Sequence, residues 1–173
     1  MYGCFVSDPG DELVDIVDDA DRVVGVATRR EVRTRVLKHR CVSIVVRSSA
    51  GAVLIHRRSE RKDLWPGFWD FCAGGVLAAG EGWEAGARRE LAEELGVAGT
   101  LVVVGTATYR DDQVDEIARL YTVTHDGPFA FNDGEVVEAF FVTLDELAQR
   151  LQRDRFVPDS VALAWPLITG AHS

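Results

Sequence analysis

Apolar residues recur in short runs, most of them alternating with polar ones, and this pattern predicts a chain rich in β-strands. Residues 11–27 predict two short strands around a turn, and the polar stretch that follows through Thr34 predicts one helical turn. Two apolar runs joined by Ser48-Ser49-Ala50-Gly51 predict a hairpin, whereas residues 59–67 predict a loop. The strands predicted after Thr34 are 41–46, 52–56, 68–73, 101–108, 116–124 and 136–142, with the strand at 68–73 broken by Gly74-Gly75.

Three segments have the period of a helix. Between Gly82 and Leu95 an apolar residue recurs every fourth position, and Gly96 stands where a C-cap glycine belongs. Thr143-Leu144-Asp145-Glu146 has capping-box form and predicts a helix through Gln152. The last helix is predicted at 160–167, with Asp159 as its N-cap. Strands, one helix, more strands and closing helices together predict an α/β sandwich with a mixed sheet.

The composition fits one globular domain, with 47% hydrophobic and 27% charged residues among 173. The net charge of -9 disfavours an extended surface for nucleic acid or anionic membranes. No apolar run approaches the roughly 20 residues of a membrane span, and the first residues lack the pattern of a secretory signal. Cys4, Cys41 and Cys72 are far apart and fit no ligand spacing. These features predict a cytoplasmic protein with reduced thiols and without nucleic-acid or membrane partners.

The candidate chemistry lies in the predicted helix between Gly82 and Leu95. Glu90, Glu93 and Glu94 stand at helical offsets zero, three and four, so their side chains share one flank. Crowded carboxylates repel one another unless a cation lies among them, and hard oxygen donors suit Mg²⁺ or Mn²⁺ better than zinc. A solvated, charged helix explains the three glutamates equally well when they are taken alone.

The spacing around these glutamates matches a known motif at every fixed position. The matching run is Gly75, five residues, Glu81, seven residues, Arg89-Glu90, an aliphatic residue, any residue, Glu93-Glu94, any residue, Gly96 and an aliphatic residue. The chain thereby resembles the Nudix superfamily, whose box has this spacing. The resemblance implies the Nudix α/β/α fold with its loop–helix–loop in a domain at 39–173, and residues 1–38 are expected to form an extension packed on that domain.

The resemblance implies a pyrophosphohydrolase, dependent on Mg²⁺ or Mn²⁺, that acts on a nucleoside diphosphate derivative or a related small organic diphosphate. In such an enzyme, water activated by metal attacks phosphorus. Carried onto the matching positions, Glu90, Glu93 and Glu94 are metal ligands, joined by the carbonyl of Gly74 or Gly75. Glu81 is implied to bind the metal indirectly or to orient the helix.

The resemblance also implies the catalytic group, which is Glu93, Glu90 and Arg89. Arg89 precedes Glu93 by four positions and can pair with it. Glu93 is the first candidate for the general base. Glu135 and Glu138 are alternatives, although both could simply be polar positions of a strand.

A second resemblance lies upstream, in HRRSERKDLWPGFWDFCAGG, which is similar to the isopentenyl-diphosphate isomerase branch of the superfamily. In that branch the second arginine and the downstream lysine grip the substrate diphosphate, which implies Arg58 and Lys62 here. The isomerase's Cys-Gly-His run is missing, because Gly74 and Val76 stand at its cysteine and its metal-binding histidine. Cys72 lies two residues too early. The resemblance therefore implies a hydrolase related to the isomerases.

Three functions stay open at this point: the hydrolase, an isomerase of an isoprenoid diphosphate, and a non-catalytic module that senses a nucleotide. The complete box favours the hydrolase, with a small-molecule diphosphate as its partner. Trp69, like Trp65 and Phe71, could stack on a base, although tryptophans at strand ends more often pack. The predicted N-terminal hairpin offers an edge for a homodimer. The histidines, which form no spaced set, are His39, His56, His125 and His172.

Overall fold

The computed structural model describes residues 8–131 and 134–170, so Cys4 and His172 lie outside the described residues. A short 3-10 turn at Pro9–Asp11 comes first. The strands are β1 (Leu13–Val17), β2 (Val23–Thr28), β3 (His39–Arg47), β4 (Val53–Arg58), β5 (Trp69–Asp70), β6 (Ala73–Val76), β7 (Val102–Arg110), β8 (Asp115–Thr124) and β9 (Val136–Val142). The helices are α1 (Arg29–Arg35), α2 (Trp83–Leu95), α3 (Leu144–Arg153) and α4 (Pro158–Thr169).

Strand β3 lies at the centre of the sheet. It runs parallel to β8 along its whole length, with His39 opposite Glu116. It runs antiparallel to β6, where Val42 lies opposite Gly75. On the outer sides β7 pairs with β8, while β5 and β9 both pair with β4. The sheet is therefore mixed, as the order of elements predicts.

Helices cover both faces of this sheet. Successive residues of β3 point to opposite faces, because side chains alternate along a strand. On one face Val42 belongs to a core that includes Leu91 of α2. On the other face Val45 belongs to a core that includes Leu147 of α3 and Leu163 of α4. This arrangement confirms the predicted α/β/α sandwich.

The N-terminal segment continues the same sheet. Strands β1 and β2 form the predicted antiparallel hairpin, and β1 meets β3 where Ile16 lies opposite His39. Val14 of β1 and Val32 of α1 share a small core with residues of β3 and β6. A capping box between Thr28 and Glu31 begins α1, which is two turns long rather than the single predicted turn. The N-terminal segment is thus joined to the rest of the sheet by backbone pairing of β1 with β3 and by apolar contacts.

Helices α2 and α3 confirm their sequence signals. Gly96 ends α2 with a left-handed conformation, and its N–H donates to the carbonyl of Ala92. The capping box of α3 forms as predicted, with Thr143 accepting from the backbone N–H of Glu146. No helix within the described residues is long and apolar enough to span a membrane.

The hairpin predicted between β3 and β4 forms, with Arg47 opposite Val53, and beyond that pair the two strands pair with β8 and β9. Two other local predictions are wrong in their details. Gly74 and Gly75 do not break a strand but lie inside β6. Asp159 is not the N-cap of α4. That position belongs to Val157, and Pro158 follows as the first helical residue.

Gly74 is required by the approach of β6 to β3. A Cβ built at this position would lie 2.0 Å from the carbonyl oxygen of Val42, which is backbone and cannot move aside. Gly74→Ala is therefore expected to lower the free energy of unfolding by about 3 kcal/mol or more, measured by chemical denaturation. Gly25→Ala is the matched control, because Gly25 also lies in a strand but has nothing within 4 Å of its Cβ position. Equal stability of the two variants would contradict the steric argument.

Candidate active site

Helix α2 presents its carboxylates at the border of the core. Its buried stripe includes Ala87 and Leu91, which are at most 1% exposed and pack on the sheet. The neighbouring flank buries Glu90 and Glu94, which are 8% and 4% exposed. The side chain of Glu93 is 56% exposed. Of the three glutamates that the sequence places on one flank of the helix, Glu90 and Glu94 are thus buried, whereas Glu93 faces solvent.

Arg89 connects the loop before α2 to the carboxylates of the helix. Its guanidinium donates to both oxygens of Glu81, at 2.9 and 2.8 Å. It also donates to Glu90 at 2.7 Å and to Glu93 at 3.1 Å, so the predicted pair with Glu93 forms. The hydrogen bonds from Arg89 are the main cause that lowers the pKa of Glu81. Both oxygens of Glu81 are therefore held as a carboxylate that fixes the loop against the helix.

Glu94 lies between the glycines of β6 and a lysine. One of its oxygens accepts from the backbone N–H of Gly74 at 3.0 Å, and the other lies 3.5 Å from the Nζ of Lys62. Lys62 also contacts the carboxylate of Glu135. Burial, only partly offset by Lys62, raises the pKa of Glu94 to about 7. A buried carboxylate with an incomplete set of positive partners is a group that gains from a bound cation.

Glu90 lies against the other glycine of β6. A Cβ at Gly75 would fall 2.7 Å from an oxygen of Glu90, so glycine makes room for this carboxylate. Burial raises the pKa of Glu90, although the nearby Arg89 opposes the effect. Glu90 and Glu94, one turn apart, are hard oxygen donors beside exposed Glu93. This donor set fits a magnesium-like or manganese-like ion.

A cavity of about 500 Å³ opens beside these carboxylates. Gly74 and Gly75 form part of its wall, next to Glu90 and Glu94. The loop after β4 contributes Arg58 and Lys62. Helix α1 contributes further cationic side chains from the N-terminal segment. The other polar or charged side chains that line the cavity are Asp8, Arg29, Arg30, Arg33, Cys41, Ser43, Ser59, Arg61, Asp63, Asp70, Cys72, Glu116, Glu135, Asp159 and Ser160.

The polar part of the cavity includes the buried carboxyl group of Glu116 and the half-buried carboxyl group of Asp159. Burial raises the pKa of Glu116 to about 7, although a hydrogen bond from the thiol of Cys41 opposes the effect. Burial, together with the neighbouring Glu116, raises the pKa of Asp159 well above its usual range. Donor atoms of His39, Cys41 and Glu116 lie within 4.8 Å of one another. The sequence spacing did not indicate this group, because β3 and β8 meet only through the parallel pairing.

The structure distributes the predicted substrate residues unevenly. Arg58 and Lys62 both line the cavity, and the side chain of Arg58 lies 3.8 Å from a carboxylate oxygen of Asp70. Trp69 lies outside the cavity and packs edge-on against Phe140, with ring centroids 5.6 Å apart. The tryptophan that lines the cavity is Trp65.

The two later candidates for the general base are also separated. Glu135 lines the cavity beside Lys62. Glu138 is exposed on β9, opposite Arg57 of β4, and is not among the described residues that line the cavity. The geometry therefore supports Glu135 over Glu138.

Comparison with known proteins identifies the family. The family model of the NUDIX domain matches residues 37–163. The chain is 39% identical over 151 residues to the uncharacterized Nudix hydrolase YfcD of Escherichia coli K12, a match that covers 87% of this chain and 83% of the relative. It is 37% identical over 155 residues to the uncharacterized Nudix hydrolase SCO1686 of Streptomyces coelicolor, covering 88% of this chain and 86% of the relative.

Solved structures share the fold. DR0079 from Deinococcus radiodurans superposes with a TM-score of 0.76 at 28% identity, covering 90% of this chain and 99% of the other. The NUDIX domain of Shewanella oneidensis NrtR, solved in complex with ADP ribose, superposes with a TM-score of 0.62 at 19% identity, covering 77% and 88% of the two chains. This second likeness concerns the fold alone. The family match over most of the chain and the box on α2 show that this protein belongs to the Nudix family and is a hydrolase.

Proposed function

We propose that the protein hydrolyses the diphosphate linkage of a nucleoside diphosphate derivative, or of a related small organic diphosphate, with the help of a divalent metal ion. The observation that carries this proposal is the buried pair Glu90 and Glu94 beside a cavity lined by Arg58 and Lys62. Buried carboxylates attract a cation, and a cationic loop attracts phosphate. The two features together suit a substrate that contains a diphosphate.

Glu90 and Glu94 would hold the metal, with Glu93 and the carbonyl of Gly74 as further ligands. Nudix hydrolases generally use divalent ions, and the oxygen donors here fit Mg²⁺ or Mn²⁺. When bound, such an ion neutralises phosphate oxygens and lowers the pKa of a coordinated water.

Other residues of the chain would position the metal ligands and bind the substrate. Arg89 is a positioning residue, because its guanidinium fixes Glu81, Glu90 and Glu93 relative to one another. Lys62, whose Nζ lies 3.5 Å from Glu94, and Arg58 would bind the substrate diphosphate beside the metal ligands.

Two carboxylates are candidates to accept a proton from the attacking water. Glu93 is the exposed glutamate of the box, and Glu135 lines the cavity beside Lys62. Glu93 is the first candidate because it belongs to the same helix turn as the metal ligands.

The likeness to an ADP ribose complex supports nucleotide-derived substrates as the first class to test. Nucleoside di- and triphosphates, sugar nucleotides, dinucleotide cofactors and isoprenoid diphosphates would be incubated with Mg²⁺ or Mn²⁺, and the phosphorus products identified. Turnover of one class is expected, and it should disappear with chelator and fall at least about a hundredfold in Glu93→Gln. Glu84→Gln is the matched control, because Glu84 is exposed on the same helix and pairs only with Arg88 among the described residues.

Each alternative function has its own signature in this experiment. An isoprenoid product with a shifted double bond and an unchanged phosphorus count would identify an isomerase. Binding of a nucleotide without any turnover would identify a sensing module. Equal turnover by Glu93→Gln and Glu84→Gln would contradict the assigned role of Glu93.

A further inference from the structure

Helix α1 brings cationic side chains of the N-terminal segment to the cavity. Arg29 and Arg33, one turn apart, both line it. Arg29 pairs with Glu12 at 3.4 Å, and its positive charge also opposes the rise in the pKa of Glu90. Arg33 lines the cavity together with Cys41 and Glu116, and its positive charge opposes the rise that burial causes in the pKa of both. The two arginines therefore bring positive charge of the N-terminal segment into the cavity.

Among the described residues, two cations of the cavity lack a counter-ion, Arg33 and Arg61, and Arg61 instead donates to the carbonyl of Gly134 at 3.1 Å. Arg30 pairs with Asp8 at 2.7 Å, and Lys62 bridges two glutamates. Among the residues that the structure describes, no carboxylate lies within ion-pair distance of Arg33, and its Nε is buried without a hydrogen-bond partner. A guanidinium stays charged in a protein, so the burial of the Arg33 Nε without a partner costs free energy, although the residue as a whole is only half-buried. A bound anion would remove that cost.

The same charge weighs against a second metal ion nearby. His39 keeps a buried Nε2 without a partner, and its donor set with Cys41 and Glu116 is compact. The positive charge of Arg33 acts directly on all three groups, however, and would repel a cation placed among them. An anion held by Arg33 would instead balance the charge of this arginine.

We propose that Arg33, assisted by Arg29, binds a third anionic group of the substrate, a phosphate beyond the two phosphates of the hydrolysed linkage. The inference rests on the proposed function for the position of the diphosphate, next to Glu90, Glu94 and Lys62. A diphosphate held there leaves Arg33 unpaired. The preferred substrate is accordingly a compound with three phosphates, either in one chain or with the third on a sugar.

The first test measures binding without hydrolysis. Inorganic triphosphate and pyrophosphate would be titrated into the full chain in the presence of a chelator, by calorimetry. The wild-type protein is expected to bind triphosphate at least tenfold more tightly than pyrophosphate. Arg33→Gln should lose most of this preference, whereas Arg33→Lys, which keeps the charge, should retain part of it. Arg35→Gln is the matched control, because Arg35 is exposed on the same helix and does not line the cavity.

The second test separates the two sources of the third phosphate. Turnover of a nucleoside triphosphate would be compared with that of its diphosphate, and turnover of ADP ribose 2′-phosphate with that of ADP ribose. In one of these two pairs, Arg33→Gln is expected to raise the KM of the compound with three phosphates about tenfold more than the KM of the compound with two. That pair shows whether the third phosphate belongs to the phosphate chain or to a sugar. A preference for triphosphate that is unchanged in a folded Arg33→Gln protein would overturn the inference. Because binding needs no turnover, this outcome is distinct from a failure of the proposed hydrolysis.

Discussion

Replacing Arg89 by glutamine is expected to lower the free energy of unfolding by about 3 kcal/mol and to remove most of the turnover. The guanidinium holds Glu81 through two hydrogen bonds and reaches Glu90 and Glu93 as well. Without the guanidinium, the buried carboxylate of Glu90 is still repelled by the negative charge of Glu93 but has lost its ion pair with Arg89. The loop before α2 is released at the same time. Chemical denaturation and steady-state kinetics, each with and without Mg²⁺, measure the two losses.

Arg88→Gln is the control for this variant. Arg88 is the preceding residue and makes an ion pair with Glu84, but both side chains are more than half exposed. Exposed pairs of this kind contribute about 0.5 kcal/mol or less, so Arg88→Gln should be almost neutral. If Arg89→Gln proved as stable and as active as Arg88→Gln, the contacts of Arg89 with the three glutamates would not be what positions the site.

Glu94→Gln is expected to have opposite effects on activity and on stability. Glu94 is the most buried carboxylate of the box and accepts from the N–H of Gly74. Glutamine keeps that hydrogen bond but loses the charge that would hold a metal ion. Turnover should fall about a thousandfold or more, which corresponds to about 4 kcal/mol of activation free energy. Steady-state kinetics with Mg²⁺ measure this loss, with Glu84→Gln as the control.

The stability of the metal-free protein should rise in the same variant. Burial raises the pKa of Glu94 to about 7 in the folded chain, from the ordinary value of 4.5 for a glutamate. A carboxyl group with a raised pKa favours the folded state at low pH, and that contribution is lost as the pH rises from 4.5 through 7. At pH 8 the ionised group therefore costs about 1–3 kcal/mol, which Glu94→Gln removes. Denaturation with chelator at pH 8 and pH 5 should show a gain that is large at pH 8 and small at pH 5. A loss at pH 8 would contradict the argument.

Features that depend on neighbours along the chain were predictable. The stripe and terminal glycine of α2 and the capping box at Thr143 are local patterns, and the structure contains both. The box glutamates were found for the same reason. The unequal burial of the three glutamates was not predictable. Helical offsets show on which flank of the helix a residue lies, but they do not show how much of that flank the sheet covers. Glu90 and Glu94 lie under that edge, and Glu93 lies beyond it.

Features that depend on distant neighbours were misread or missed. Gly74 stands where a glycine could either break a strand or admit a close backbone, and only the position of Val42 decides between them. Asp159 suits an N-cap, but Pro158 fixes the helix start one residue earlier. Arg33 and Glu116 carried no local signal of any kind. They meet at the cavity because β1, β3 and β8 share one sheet.

The parallel pairing of β3 with β8 also determines when the cavity can form during folding. Two parallel strands cannot be joined by a tight turn. Strands β3 and β8 can therefore pair only when the long segment between them, which includes α2, connects the end of one strand to the start of the other. Closing so long a loop is slow compared with forming the β1–β2 hairpin or an isolated helix. The carboxylates of α2 and the arginines of α1 can each be in place early, but the polar residues between them arrive with β8 and α4. Nascent chains that stop before Asp115 therefore carry the complete box without a cavity.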